Sequence, residues 1–170
     1  MVRLAVFAVF ASALLGAVSA APVRRAAFAL QSYAQFQISD GTAGNAAAQA
    51  NAVFVDPFKN VDLTTVDSTT IDNLNTMREA AESAETDQFN SQIAAASGAA
   101  ATALQNGKIK NKVLKLTGEV QVLNIKIAQA KAAGKSTTSL ASDLAAETKK
   151  LNNNIATDKK NAGQASKGVA

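Results

Sequence analysis

The chain has 170 residues with no cysteine, no histidine and no tryptophan, and a formal net charge of +4. That inventory excludes a disulfide-stapled scaffold. It also excludes the usual zinc, haem, Ser-His-Asp and Cys-His sites.

Residues 1–20 read as a secretory signal peptide: Arg3 supplies a positive start, Leu4 to Val18 is an uncharged and mostly apolar run, and Val18-Ser19-Ala20 offers small residues before a cut between Ala20 and Ala21. The run is 15 residues long, short of the ~20 that a membrane-spanning helix needs, so cleavage is favoured over an uncleaved anchor. Residues 21–25 end in the dibasic pair Arg24-Arg25, which reads either as a propeptide site with a mature start at Ala26 or as an exposed basic terminus. Processing at both places removes Arg3, Arg24 and Arg25 and leaves 14 basic against 13 acidic residues. The basic excess therefore gives no argument for nucleic acid. No later stretch is apolar enough to span a bilayer, and no N-x-Ser/Thr sequon is present.

Residues 26–163 read as one helical domain, rich in alanine and holding a single proline, Pro57. Residues 26–38 alternate like a strand but lack a strand partner nearby, so a helix is expected there. Ser39-Asp40 resembles an N-cap for a helix from Gly41 to Phe54, broken by Pro57. From Thr70 a stripe at helical spacing runs through Ile71, Leu74, Arg78, Ala81, Glu85, Phe89, Ile93, Ala96, Ala100 and Ala103. It predicts one long helix, or two that break near Thr86-Asp87, with Asn106-Gly107 as the stop.

Ile109, Val113, Leu116, Val120, Leu123, Ile127 and Ala130 form a heptad seam that predicts a further helix closed by Gly134. A last helix carries Leu140, Leu144, Leu151 and Ile155 after capping hydroxyls at Ser136 to Ser139. Residues 164–170 are expected to be a loose tail. The predicted fold is all-α: an antiparallel bundle of four to six helices with short loops. Residues 40–87 carry a net charge of −7 and residues 108–167 a net +8, so the two halves are suited to pack as antiparallel helices.

Three clusters have a functional and a structural reading. Asp62, Asp67 and Asp72 fall short of calcium-loop spacing and suit an acidic linker and helix start. Lys108, Lys110, Lys112 and Lys115 suit an anionic partner, a solvated face, or pairing with the acidic half; aromatics for base stacking are missing around them. Phe28, Tyr33, Phe36, Phe54 and Phe58 suit core anchors better than a ligand pocket. No catalytic residue, metal ligand or cofactor is expected, and no Walker or dinucleotide fingerprint is present.

The blocks Phe36-Gln37-Ile38-Ser39-Asp40-Gly41-Thr42-Ala43-Gly44-Asn45-Ala46 and Gly107-Lys108-Ile109-Lys110-Asn111-Lys112-Val113-Leu114-Lys115-Leu116-Thr117 resemble the small secreted proteins of filamentous fungi. The resemblance implies an extracellular fungal protein without an established enzymatic site. No motif-level match exists to the hydrophobic-surface-binding and cell-wall mannoproteins. The expectation is a secreted, non-enzymatic interaction protein that contacts a host, cell-wall or neighbouring-cell target, whether protein, polysaccharide or lipid. The alternative is a carrier of a lipid-like ligand or a coat for hydrophobic interfaces. No nucleic acid is expected, and the seam is compatible with a monomer or a homodimer.

Overall fold

A computed structural model describes residues 28–170. The expected all-α bundle is what these residues form. In chain order they give α1 (Tyr33–Phe36), β1 (Gly41–Thr42), α2 (Ala46–Phe54), α3 (Ser68–Ser83), a π-helical turn (Ala84–Phe89), α4 (Asn90–Ala95), α5 (Gly98–Ala132), α6 (Thr138–Lys160) and β2 (Ala165–Ser166). Two 3₁₀ turns, Asp56–Phe58 and Leu63–Thr65, join α2 to α3.

Helix α5 is the centre of the bundle. Val113, Leu114, Val122 and Ile125 on it are at most 1% exposed, and α2, α3 and α6 pack around it. The heptad seam marks only part of its buried surface. Leu114, Thr117, Gly118, Gln121 and Ile125 are buried too, as expected of a helix enclosed on several sides. Opposite it lie Phe54 of α2 and Leu74, Met77 and Ala81 of α3. Burying a side chain such as Phe54 or Leu74 contributes about 1.5–3 kcal/mol. The aromatic group anchors one end: Tyr33 meets Phe36 edge-on at 5.6 Å, Phe36 meets Phe54 at 6.0 Å, and Phe28 stacks between Phe54 and Phe58.

The opposed charges set the antiparallel register of α3 and α5. Arg78 Nε lies 2.8 Å from Glu119, Lys115 Nζ 3.0 Å from Glu85, and Lys112 Nζ 3.5 Å from the same carboxylate. Lys108 continues the ladder with a hydrogen bond to Asn90.

Four local expectations give way to tertiary contacts. Residues 28–38 hold a single helical turn rather than a helix. Helix α2 starts at Ala46, not Gly41. Gly41-Thr42 pairs instead with Ala165-Ser166 in a short antiparallel ladder. The Asn106-Gly107 stop is not used, and α5 runs through it; the chain breaks earlier, at Ala96-Ser97. Residues 164–170 are a docked strap rather than a loose tail, with Ser166 and Gly168 buried. Pro57 does end α2, and Gly134, at φ 66°, follows the end of α5 as expected.

Candidate functional site

Two polar features stand out from the packing. The first is a buried clamp on the segment Asp40 to Ala46. Lys110 is fully buried in α5, and its ammonium donates to the carbonyls of Asp40 at 2.8 Å and Thr42 at 3.1 Å. Asp158, 2% exposed near the end of α6, accepts from the N–H groups of Gly44 and Ala46, both at 2.9 Å. It thereby caps α2 from 112 residues away. Burial pushes the Lys110 ammonium below its ordinary value, against the charges of Asp158 and Asp40. Every polar group of this clamp is engaged with the protein's own backbone, so it organises the fold and leaves little for a ligand.

Asn111, next in sequence, braces the start of the π-helical turn. Its side-chain amide donates to the Ala81 carbonyl at 2.7 Å and accepts from the Tyr33 hydroxyl at 2.8 Å. The Ala81 oxygen also takes the Ala84 N–H, and the widened turn Ala84–Phe89 follows directly. The widened turn carries Glu85 towards α5.

The second feature is a cleft of about 510 Å³ between α3, α5 and α6. Its lining includes Arg78, Glu82 and Glu85 from the first wall, Lys112, Lys115, Leu116 and Glu119 from α5, and Glu147, Lys150 and Asn154 from α6. Arg78 joins Glu79, Glu82 and Glu119, and Lys115 joins Glu82 and Glu85. Burial works to raise the Glu85 carboxyl, but the hydrogen bond from Lys115 and the charges of Lys115, Lys112 and Lys108 hold it below its ordinary value of 4.5. On the α6 side, Lys150 pairs with Glu147 of its own helix at 2.7 Å. No ion pair among the described residues crosses from α6 to the other two walls.

Such a cleft can recognise polar groups, since carboxylates, ammonium groups, a guanidinium and an amide all line it. Among the described residues no three acidic side chains gather as a metal site. Asp62 instead accepts from Thr64, and Asp67 caps α3 by accepting from the N–H of Thr70. The lysine cluster divides: Lys112 and Lys115 meet the acidic half, Lys108 meets Asn90, and Lys110 is buried. The processing residues Ala20, Ala21, Arg24 and Arg25 lie outside the described residues. Lys110, Asn111 and Asp158 carry no chemical motif of their own; for Lys110 and Asn111 the signal is that polar residues share α5 faces with Leu114 and Ile125, and Asp158 on α6 has none.

No described helix is long and apolar enough to cross a membrane. No curated protein and no solved structure matches the chain. The family described as Domain of unknown function (DUF8454) matches residues 28–170, and the chain belongs to that family.

Proposed function

We propose that this chain is a secreted, non-enzymatic interaction protein of a filamentous fungus. It acts by contact with a host, cell-wall or neighbouring-cell target, and the charged cleft is its contact surface. The observation that carries this reading is the cleft itself: three helices meet around about 510 Å³ lined almost wholly by charged and amide side chains, with Leu116 as its apolar residue. A lining of that kind suits a polar chain, peptide or polysaccharide, whereas an acyl chain would take water from its charges without replacing the hydrogen bonds.

The experiment is binding of the secreted protein to intact cells and to isolated wall fractions. It is repeated with the double charge reversal Lys112→Glu and Lys150→Glu, whose fold is checked by circular dichroism. Retention by a surface or wall fraction that falls at least about tenfold in the variant supports the reading, a loss equivalent to about 1.4 kcal/mol. Absence of retention, or retention that the variant leaves intact, overturns it. Intact-mass analysis of culture fluid tests export, which requires a chain beginning at Ala21 or Ala26.

A second reading, carriage of a lipid-like ligand, has one observation in its favour. A groove of about 480 Å³ beside α1 and α2 is lined by Phe28, Phe36, Ile38, Val53 and Pro57 among others. Leu30, 55% exposed, stands in the same segment. A mass increment in native mass spectrometry that disappears on denaturation would favour this reading.

A further inference from the structure

The carboxyl-terminal strap is held mainly through its main chain. Gln164 accepts from the Ala43 N–H, and Thr42 and Gly41 pair with Ala165 and Ser166. The Ala165 carbonyl takes the Asn106 amide, Lys167 N–H donates to the Ala103 carbonyl, and Gly168 N–H donates to Asp40 Oδ1 at 2.8 Å. The side chains follow period two: Ser166 and Gly168 are buried, while Ala165 and Lys167 are exposed. The Ser166 hydroxyl donates to the Ser39 carbonyl.

The receiving groove is shaped for this segment. A Cβ on Gly107 would lie 1.9 Å from the Lys167 carbonyl oxygen, so α5 is notched where the strap crosses it. A Cβ on Gly168 would meet the Asp40 carboxylate at 3.0 Å. The groove between β1 and α5 therefore accepts an extended segment with small residues at its two inward positions. Recognition of this type, by added strand and alternating pockets, reads the segment and not the chain it belongs to, so it also works in trans once the partner's concentration rivals that of the tether.

We propose that the strap is exchangeable and that this groove accepts residues 164–169 of a second copy of the chain, giving a strand-exchanged homodimer. Exchange keeps the strap's bonds to β1, Asn106, Ala103 and Asp40, and opens the turn Asn161–Gly163 that leads into it, releasing the Gln164 N–H bond to the Asn161 carbonyl and the Gly163 N–H bond to the Ala43 carbonyl. That turn sits at the surface, with Ala162 and Gly163 exposed. Of the heptad seam, Val113, Leu116 and Leu123 are buried within the bundle and Ile109, Val120, Ile127 and Ala130 are half-buried, so most of its apolar surface is already covered. Thr42 and Ala165 are the facing residues that mark the pairing.

A chain without cysteine allows a direct test. Thr42→Cys and Ala165→Cys are made in separate full-length chains, and both are exposed positions. The reduced proteins are mixed at about 1 mM, the effective-concentration scale of a short tether, warmed below the unfolding transition, and oxidised. The expected result is a disulfide-linked heterodimer on the order of tenfold more abundant than either homodimer, because only exchange brings residue 42 of one copy against residue 165 of the other. Random pairing, or no covalent dimer, overturns the proposal. The double variant in one chain, oxidised at low concentration, closes within the monomer if the register is correct. Failure to close removes the register and the proposal together. Neither outcome bears on the charged cleft, which lies on other faces of the helices.

Discussion

Gly107→Ala sets helix propensity against a tertiary contact, and the structure decides the sign. Gly107 lies inside a 35-residue helix, where replacing glycine by alanine ordinarily stabilises by about 0.5–1 kcal/mol. Here the added Cβ falls 1.9 Å from the Lys167 carbonyl oxygen, 2.8 Å from its carbonyl carbon and 3.2 Å from the Phe89 ring. The first two neighbours are backbone, so no rotamer change relieves them. The strap must lift, losing the Lys167 and Gly168 hydrogen bonds and the β1–β2 ladder. Overpacking of this kind costs about 1–3 kcal/mol, so the net effect is a destabilisation of up to about 2.5 kcal/mol. For a domain of this size that lowers the melting temperature by up to about 10 °C. Hydrogen exchange supplies the local readout: the amides of Ala43, Lys167 and Gly168 should lose protection while those of Leu114 and Ile125 keep theirs. Gly118→Ala is the comparison, since the nearest neighbours of its Cβ would be atoms of the Phe54 ring, at 3.3 Å and not backbone at 1.9 Å, so its cost should be the smaller. A Gly107→Ala protein that melts higher than the parent with a protected strap would refute the reasoning.

The clamp should behave as a unit. Asp158→Asn places an amide N–H against a backbone N–H and strips Lys110 of a buried counter-charge, at a cost of about 3–5 kcal/mol in urea unfolding. Lys110→Met leaves two carbonyls unpaired at about 1–3 kcal/mol, and the double variant should lose less than the sum by at least about 0.5 kcal/mol. The Asp40 carboxyl is held below its ordinary 3.8 by the Gly168 N–H first, then by the Gln37 side chain, with Lys110 and Lys167 adding to it. Its contribution is thus full above the unfolded value and is lost as pH falls through the lower folded value. The Gly168 amide resonance should report a midpoint under 3.8; a midpoint at or above that value would contradict the contact. Burial pushes the hydroxyl of Tyr33, the chain's one tyrosine, up from 10.0 to about 12. Stability is then complete below pH 10 and falls as pH rises towards about 12. Phenolate absorbance should appear in that window together with loss of helical dichroism, and reversible ionisation near 10 with helicity intact would show that Tyr33 is not enclosed.

The features legible in the sequence are those whose causes are local. The seam from Ile109 to Ala130 is a helix because aliphatic side chains at spacings of three and four must share one face wherever that face is covered. Asp67 caps α3 with its own side chain three residues on. The charge division from 40–87 to 108–167 became the Lys115–Glu85 and Lys112–Glu85 pairs because opposite charges on facing elements also favour one register; the Arg78–Glu119 pair runs against that division and was not legible. The misread features have distant causes. Gly107 and Asn106 look like a helix stop, yet Gly107 is small because Lys167 crosses it and Asn106 is polar because it binds the Ala165 carbonyl. Ser39-Asp40 looks like a cap, but the carboxylate that caps α2 belongs to Asp158. Of the cleft, the paired charges of two walls were legible; the third wall was not, since the position of α6 depends on the turn at Gly134.

The two sequence blocks that carry the resemblance meet in space, and the manner of their meeting bears on a chain with no disulfide. Lys110 from the second block holds the Asp40 and Thr42 carbonyls of the first across 70 and 68 residues, and Asp158 reaches Gly44 across 114. These are spans of the kind that disulfide-bonded domains close with cysteines. The physical consequences differ. A disulfide constrains the unfolded chain, whereas hydrogen bonds exist only once the chain has folded and leave that entropy unreduced. The clamp therefore adds specificity of position more than net stability, because two buried charges have already lost their hydration. The stability has to come from α5, whose apolar side chains are covered from several directions. A clamp of this kind also releases without chemistry: whatever opens the Asp40 to Ala46 segment frees β1 and leaves the strap held by α5 alone, through Asn106 and the Ala103 carbonyl.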